Sequence, residues 1–229
     1  MSQAATPRLV HKTKFQQALL AWFAEYGRDL PWRRTSDPYH ILVSEVMLQQ
    51  TQVERVTPKY DEWLQKYPTL DALASAEVTE VKETWKGLGY NIRPVRLHNI
   101  ARETVAEYGG TLPQEVEQLR QFKGIGRYTA GAIASFAYGK DEPILDTNVR
   151  RVLFRVFIGQ GDVRASAMER RLWDISSRVL PKGQAWAFNS ALMDFGAILC
   201  TAYQPQCTTC PMMSFCRMNR RQQKARAQH

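Results

Sequence analysis

Four cysteines crowd one short stretch of the chain, and no other feature restricts the possible folds as much. They are Cys200, Cys207, Cys210 and Cys216, with the spacing C-x6-C-x2-C-x5-C. Two disulfides would suit a secreted chain. A four-cysteine zinc site usually has two C-x2-C pairs, and this stretch has one. Four thiolates in one loop can instead hold a [4Fe–4S] cluster. The spacing favours the cluster, in a structural role before a redox one, and leaves zinc as the alternative.

Apolar residues recur at helical spacing along nearly the whole chain, so the predicted class is all-α. Gly27 is expected to end the first helix, and Asp37 before Pro38 is typical of a helix start. The sequence has neither strand-like alternation nor an internal repeat. Helices are predicted at residues 15–26, from 38 onward, and near 58–67, 77–86, 94–108, 115–121, 127–138, 147–158, 167–179 and 186–199.

The chain is basic, with a formal net charge of +9 over 229 residues. This balance indicates nucleic acid or an anionic membrane as a partner. No apolar run nears the roughly 20 residues of a membrane helix, and residues 1–14 lack the apolar core of a signal peptide. We therefore expect no membrane association and a cytoplasmic location. Five of the nine charges lie after Cys216, where they form a solvated tail or seat a phosphate: Arg217, Arg220, Arg221, Lys224 and Arg226.

Residues 119–133 predict two helical segments joined by a tight turn. Gly124 and Gly126 flank Ile125, and glycine permits both the turn and a close approach of the backbone to a ligand. The N–H groups that start the second helix, around Arg127 and Thr129, then face outward. There they can hold a phosphate without reading a base. The segment is a predicted nucleic acid contact.

Residues 122–130, Phe-Lys-Gly-Ile-Gly-Arg-Tyr-Thr-Ala, and the cysteine loop together resemble the iron-sulfur branch of the helix-hairpin-helix DNA glycosylase superfamily. Further stretches resemble its adenine glycosylase (MutY) family. They are residues 30–33 with 44–53, residues 87–90, and residues 143–149. The resemblance spans about residues 15–216.

This resemblance implies an all-α fold of two helical lobes with a cleft between them. A six-helix domain with the helix-hairpin-helix would cover residues 31–143, and an iron-sulfur cluster domain would cover residues 8–30 and 144–229 with the cluster loop at 200–216. It implies a [4Fe–4S] cluster on the four cysteines. The implied substrate is double-stranded DNA that contains a mismatch or lesion, bound by a nucleoid-associated monomer.

Two carboxylates have the environments of an acid and an anion. Glu45 lies on an apolar helix face, where desolvation is expected to raise its pKa and suit it to protonate a ring nitrogen of a purine; a core-edge glutamate paired with an arginine is the alternative. Asp146 is a predicted N-cap, and the N–H groups it accepts are expected to keep it ionised and able to stabilise a sugar cation. The resemblance implies that both are catalytic and that Asn148 orients Asp146.

Tyr128 occupies the position where bifunctional relatives such as endonuclease III carry a lysine nucleophile. Tyrosine cannot form a Schiff base with the sugar, and Lys123 precedes the hairpin glycines and does not replace that lysine. The resemblance therefore predicts a monofunctional hydrolase without efficient strand cleavage. Tyr128 is expected to hydrogen-bond near the sugar or Glu45, with simple packing as the alternative.

Gln50 and Tyr90 match residues that enter the duplex in the family. Flipping a base costs a few kcal/mol, so a side chain must fill the gap or wedge between bases. For Tyr90 the competing interpretation is core packing beside Gly89. The resemblance assigns a base pocket to Arg28, Leu30, Trp32, Arg33 and Ser190.

The sequence also departs from the adenine glycosylase pattern. Thr147 replaces a glycine, Ser190 stands where Gln or Glu is favoured, and Asn91 and Pro94 replace a tyrosine and a small residue. The family usually continues into a second domain that helps to recognise oxidised guanine, and since this sequence ends 13 residues after Cys216, we expect that domain to be absent, naturally or by truncation. These departures put the choice of base in doubt.

Three functions remain. The first is removal of adenine opposite guanine or 8-oxoguanine. The second is removal of thymine or uracil opposite guanine, since short cluster-bearing relatives of that type also end after the last cysteine and carry tyrosine in the hairpin. The third is a DNA-binding protein without catalysis, which the presence of both Glu45 and Asp146 disfavours.

Overall fold

The computed structural model describes residues 9–226. The prediction for residues 1–14 and the outer limits of the predicted cluster domain, residues 8 and 229, lie wholly or partly outside the described residues. Within 9–226 the chain is all-helical and contains no strand, which confirms the predicted class. No helix in this part of the chain is both long and apolar enough to cross a membrane.

Twelve α-helices are present in the described residues. They are α1 Lys12–Tyr26, α2 Pro38–Leu48, α3 Val53–Lys66, α4 Leu70–Ser75, α5 Val78–Thr84, α6 Ile92–Tyr108, α7 Val116–Leu119, α8 Arg127–Phe136, α9 Thr147–Leu153, α10 Ser166–Val179, α11 Ala185–Asp194 and α12 Arg217–Arg226. A 3₁₀ turn spans Pro31–Arg33, and π-helical turns at Phe154–Ile158 and Phe195–Leu199 continue α9 and α11.

The start of α2 follows directly from two residues. The Asp37 carboxylate accepts hydrogen bonds from the backbone N–H groups of Tyr39 at 2.7 Å and His40 at 3.2 Å, and Pro38 occupies the first turn, where no intrahelical N–H bond is lost. Gly27 ends α1 as expected. Local capping chemistry therefore sets the position of the helix that carries Glu45.

Several helix bounds differ from the predictions. The helix predicted near 58–67 begins earlier, at Val53, and accommodates Pro58 in its interior. The predicted helices 147–158 and 186–199 both change to π-helical turns for their last residues. Two helices were missed because they lack an apolar stripe of useful length: the short α4 and the highly charged α12.

The chain divides into two compact units. The hairpin unit comprises residues 29–142. In its core Trp63 and Trp85 are fully buried and meet edge to face, with ring centroids 5.5 Å apart. The cysteine unit comprises residues 9–28 and 143–226 of the described chain. Its core is centred on Phe15, whose ring lies 4.9 Å from that of Phe157. Each unit therefore has an aromatic core of its own.

Replacing Asp37 with alanine tests the helix start. The Asp37→Ala variant should lower the free energy of unfolding by about 1 kcal/mol, because two first-turn N–H groups lose their acceptor. Urea denaturation measures the change. Asp61→Ala, at an exposed position of α3, is the matched control and should change it by less than about 0.5 kcal/mol. Equal effects of the two substitutions would contradict the capping role.

Candidate active site

Glu45 lies in the last part of α2 with only 5% of its surface exposed. The helix is buried from Ile41 to Met47 and packs against α3 and α8. Tyr128 is the second residue of α8 and is half-buried. The hairpin unit thus carries Glu45 and Tyr128 on two helices in direct contact, and the predicted burial of the Glu45 carboxyl is observed.

The predicted hairpin runs from α7 into α8. At its turn Gly124 has φ of +113°, a conformation that L residues rarely adopt, and a Cβ there would lie 3.0 Å from Cδ of Arg96. Gly126, the N-cap of α8, has an ordinary φ of −86°, and a Cβ there would meet no atom within 4 Å. The protein's own packing requires glycine at position 124 and not at 126. The open space at Gly126 leaves the helix N-terminus accessible.

Other hairpin residues differ in their exposure. Arg127 is exposed, whereas the side chain of Thr129 is 3% exposed and Ile125 is 5% exposed. Ile125 therefore anchors the turn in the core. A contact between Thr129 and DNA can be made only by its backbone, which refines the predicted role of that residue.

Gln50 and Tyr90 share an uncommon backbone geometry. Their φ angles are +56° and +50°, and both side chains are exposed, Tyr90 by 59%. Core packing of Tyr90, the competing interpretation, is therefore wrong. Each residue follows a turn, Gln50 at the end of α2 and Tyr90 just before α6.

The predicted base-pocket residues are divided between the two units. Leu30 and Trp32, in the hairpin unit, are each 8% exposed, and Trp32 meets Tyr60 edge to face at 5.5 Å; Arg33 is half-buried. Ser190 is in the cysteine unit. It is 1% exposed, and its Oγ has no hydrogen-bond partner among the described residues.

Arg28 is held by an acid that the sequence analysis missed. Its backbone N–H and its Nε donate to the Asp194 carboxylate at 2.9 and 2.8 Å, and Nη2 lies 2.6 Å from the same group. Asp194 is fully buried and the Arg28 side chain is 31% exposed, so this bidentate contact is desolvated on the side of the acid. The signal for it was an acid inside the apolar run of α11. Arg28 is thereby fixed in orientation within the cysteine unit.

Asp146 is the N-cap of α9, as predicted. Its Oδ1 accepts from the backbone N–H of Val149 at 2.6 Å, and its Oδ2 accepts from Nδ2 of Asn148 at 3.2 Å. The orienting contact expected of Asn148 is therefore present. Burial raises the pKa of Asp146, and these hydrogen bonds and the nearby charge of Arg151 lower it in part, so the ionised form that the sequence predicts depends on those contacts.

Arg151 connects Asn148 to the cysteine loop. Its Nη2 donates to Oδ1 of Asn148 at 2.7 Å and to the carbonyl of Gly196 at 2.6 Å, and its Nε donates to the carbonyl of Cys200 at 2.8 Å. Gly196 packs directly on Asn148, where a Cβ would lie 2.7 Å from that of the asparagine. A continuous set of contacts therefore runs from the Asp146 carboxylate to the first cysteine.

The cysteines line one cavity of about 120 Å³, and all four are free thiols. Arg155 fixes the start of the loop by donating to the carbonyls of Thr201 and Ala202 at 2.7 and 3.0 Å, and its Nη1 lies 3.4 Å from Sγ of Cys200. Within the described residues no three Cys, His, Asp or Glu side chains converge as a single metal ion would require. The thiols surround a space instead.

Burial affects these thiols as it affects Asp146. It raises the pKa of Cys210 to about 11 and also raises the pKa of Cys216, and the neighbouring cysteines add to both effects. Burial disfavours the thiolate form of these cysteines, and binding to metal ions would stabilise it. A cluster has several iron ions, so each thiolate can bind a different one around the cavity. The donor set and the cavity therefore fit an iron-sulfur cluster.

A basic surface adjoins this region. Arg217, Arg220, Arg221 and Lys224 of α12 line a second cavity of about 230 Å³, together with Ile158 and Gln160. Over residues 9–226 none of these four cations forms an ion pair with an acid. The basic tail, predicted as a solvated segment or a phosphate seat, is thus a helix that carries these cations together.

Comparisons with known proteins identify the family. Residues 43–178 match the HhH-GPD superfamily of base excision DNA repair proteins. The chain belongs to this superfamily.

The relatives of this chain are named for two different glycosylase activities. The chain is 44% identical to the adenine DNA glycosylase of Homo sapiens over 218 residues, which are 91% of this chain and 40% of the human protein. It is 37% identical to the thymine/uracil-DNA glycosylase of Pyrobaculum aerophilum over 210 residues, which are 90% of this chain and 91% of that protein. The chain therefore spans less than half the length of the human relative.

A solved structure agrees with both the fold and the family. A thermostable thymine-DNA glycosylase superimposes with a TM-score of 0.85 at 31% sequence identity, covering 92% of this chain and 97% of that chain. A complex of endonuclease III with DNA, at 22% identity and a TM-score of 0.77, shares the fold.

The two hairpin glycines give a matched pair of variants. Gly124→Ala should lower the free energy of unfolding by about 1–2 kcal/mol, because alanine at a positive φ is strained. Gly126→Ala should leave stability within about 0.5 kcal/mol yet weaken duplex DNA binding about tenfold, because its methyl group occupies the space through which a phosphate reaches the helix N-terminus. Chemical denaturation and fluorescence anisotropy measure the two quantities. Undiminished DNA affinity of Gly126→Ala would exclude the hairpin as a phosphate contact.

Proposed function

We propose that this chain is a monofunctional DNA glycosylase of base excision repair that releases adenine paired with guanine or 8-oxoguanine. The observation that carries the proposal is a pair of buried carboxyl groups that are held in different ways. Glu45 is buried in α2, whereas Asp146 caps α9 and is fixed by Asn148. Membership of the HhH-GPD superfamily and the 44% identity to a human adenine DNA glycosylase support it.

In the proposed reaction Glu45 is the general acid. Its carboxyl protonates a ring nitrogen of the extruded adenine, the bond between C1′ and the base breaks, and the bonding electron pair leaves with the base. A neutral leaving group lowers the barrier relative to an anionic one. Tyr128 lies on α8, which packs against α2, and would hydrogen-bond near the acid or the sugar.

Asp146 stabilises the cation that forms on the sugar. Its ionised carboxylate opposes the charge at C1′ and O4′ until water adds to C1′, and the proton that water gives up restores the acid form of Glu45. Asn148 and Arg151 counter the effect of burial on Asp146, since both lower its pKa. The products are free base and an abasic site.

Strand cleavage is not part of the proposed reaction. A lyase step needs an amine that forms a Schiff base with the opened sugar, and position 128 carries a tyrosine. The abasic product is therefore left for a later enzyme or for alkali.

A [4Fe–4S] cluster on Cys200, Cys207, Cys210 and Cys216 is proposed as the resident cofactor. When bound, it supplies four metal–thiolate bonds that cross-link the loop. Arg155 and Arg151 hold the entry to that loop through carbonyl contacts, so the loop is anchored to the helix that Asp146 caps. We assign the cluster no step in the reaction.

The partner is double-stranded DNA with a mismatch or lesion, bound by a monomer in the cytoplasm at the nucleoid. Hairpin N–H groups and the cations of α12 would hold phosphates, while Gln50 and Tyr90 would enter the duplex. The base pocket would include Arg28, Leu30, Trp32, Arg33 and Ser190. Ser190 is too buried to reach a base directly. Its Oγ would therefore support the residues that touch the base and would not contact the base itself.

A second candidate substrate is thymine or uracil opposite guanine. It is favoured by the relative from Pyrobaculum aerophilum, because that protein bears this activity in its name and matches the chain over 91% of its own length.

A panel of labelled duplexes separates the candidates. Each contains one candidate pair, is incubated with the protein, and is then treated with alkali to cut at abasic sites. Cleavage at adenine opposite guanine or 8-oxoguanine supports the first candidate, cleavage at thymine or uracil opposite guanine supports the second, and release from no duplex refutes both. Strand scission before alkali would contradict the monofunctional assignment.

Glu45→Gln should lower the single-turnover rate of base release at least 100-fold and leave duplex affinity within about threefold, because the amide keeps the shape and cannot donate the proton. Rapid-quench measurements give the rate and anisotropy gives the affinity. Glu54→Gln, at an exposed position of α3, is the matched control and should match the unmodified protein. Activity that survives in Glu45→Gln would exclude Glu45 as the acid.

Asn148→Ala should move the acid limb of the rate–pH profile to higher pH. Removing the Nδ2–H donor raises the pKa of Asp146 further, so the carboxylate is protonated, and base release lost, at a pH where the unmodified protein still works. At higher pH, where Asp146 is ionised in both proteins, the rates should converge. Asn99→Ala, at an exposed position of α6, is the control. A profile lowered equally at every pH would argue against this role.

A further inference from the structure

Arg93 is a charged side chain in the interior of the hairpin unit. It lies in the first turn of α6 and only 3% of its surface is exposed. A buried guanidinium is costly unless its donors are satisfied, and arginine is the residue whose fork of donors can serve several acceptors at once. The acceptors of Arg93 therefore show what its burial is for.

Its two amino groups hold two separate segments. Nη1 donates to carbonyls at the end of α2, those of Val46 at 2.9 Å, Met47 at 2.9 Å and Gln49 at 2.6 Å. Nη2 donates to the carbonyls of Leu88 at 2.9 Å and Gly89 at 3.2 Å, in the turn before α6. The guanidinium thus bridges the last turn of one helix and a glycine-containing loop, at carbonyls that no helix satisfies.

On each side, the residue after the last of these carbonyls has a strained backbone conformation. The carbonyl of Gln49 precedes Gln50, and the carbonyl of Gly89 precedes Tyr90. In the described chain only His11, Gln50 and Tyr90 are non-glycine residues with positive φ. Such backbone conformations cost on the order of 1–3 kcal/mol and persist only where the surroundings determine them. The hydrogen bonds from Arg93 to the carbonyls of Gln49 and Gly89 fix the peptide ahead of each strained residue.

The exposed ring of Tyr90 lies against the guanidinium of Arg93. Cζ of Arg93 lies 5.3 Å from the centroid of the Tyr90 ring and 5.1 Å from that of Trp85, so the guanidinium lies near both rings. Nε1 of Trp85 donates to the carbonyl of Gly89 at 3.0 Å and fixes the same peptide. Tyr90 is therefore an exposed aromatic side chain on a rigid support.

We infer that Arg93 is a positioning residue for base extrusion: by clamping the peptides ahead of Gln50 and Tyr90, it presents both side chains as a preassembled pair that enters the duplex. The inference rests on the proposed glycosylase function. Extrusion costs a few kcal/mol of stacking and pairing, and a wedge already in place does not have to be ordered during that step. The chemical step itself does not need Arg93.

The test compares two substrates that differ only in the cost of extrusion. One is an intact mismatch duplex, and the other carries the same target base opposite a one-nucleotide gap, where the base is unpaired. Arg93→Lys and Arg93→Met should release base at least tenfold more slowly from the intact duplex and within about threefold of the unmodified rate from the gapped one. Arg102→Met, an exposed arginine on the same helix, is the control and should match the unmodified protein on both.

A general structural defect would look different. It would slow both substrates equally, as Glu45→Gln should, and that result would overturn the inference. In a protein that already carries Gln50→Gly and Tyr90→Ala, adding Arg93→Lys should slow base release from the intact duplex less than about twofold, because the effect of Arg93 acts through those two residues. A full tenfold loss in that background would also overturn it.

A milder variant keeps the test open if the Arg93 variants do not fold. Nη2 of Arg93 also donates to Oγ1 of Thr51 at 3.1 Å, and Thr51 is half-buried at the edge of the clamp. Thr51→Val should slow the intact duplex about threefold and leave the gapped one unchanged. If Thr51→Val slowed both substrates by the same factor, the inference would be contradicted. If the unmodified protein released no base from either substrate, the proposed function on which the inference rests would be refuted.

Discussion

Contacts between arginine guanidinium groups and backbone carbonyls hold the functional segments of both units in place. Arg93 does this for the end of α2 and the turn before α6, and Arg151 and Arg155 do it for the start of the cysteine loop. Each segment leaves the regular helix and exposes carbonyls that intrahelical bonding cannot satisfy. A planar fork of donors satisfies several of these carbonyls at once, which explains why arginine is used in all three places.

A balance between burial and hydrogen bonding governs the Asp146 carboxyl group. Burial of Glu45 in α2 follows from an apolar helix face, whereas Asp146 combines capping contacts with enough burial to raise its pKa. The contacts from Asn148 and Arg151 work against that rise. The ionisation of Asp146 therefore depends on its neighbours more than that of an exposed N-cap does. Those neighbours are linked through Arg151 to Gly196 and Cys200.

Sequence reasoning succeeded where the signal was local. Asp37 with Pro38 set the start of α2, and the apolar spacing set the helical class. It failed where the partner is distant in the chain. Arg28 and Asp194 are 166 residues apart, and the acceptors of Arg93 lie up to 47 residues away, so no pattern around either arginine revealed them. The charged α12 carries too few apolar residues to register as a helix.

The central claim is that Glu45 and Asp146 act on one extruded nucleotide, and a crystal structure of the Glu45→Gln protein with a mismatched duplex tests it most directly. The account predicts the target nucleotide outside the helix, the residue 45 amide within about 3 Å of a ring nitrogen of the base, and the Asp146 carboxylate facing C1′ of the same sugar. A target base still stacked in the duplex, or a flipped nucleotide that touches only one of the two side chains, would contradict it.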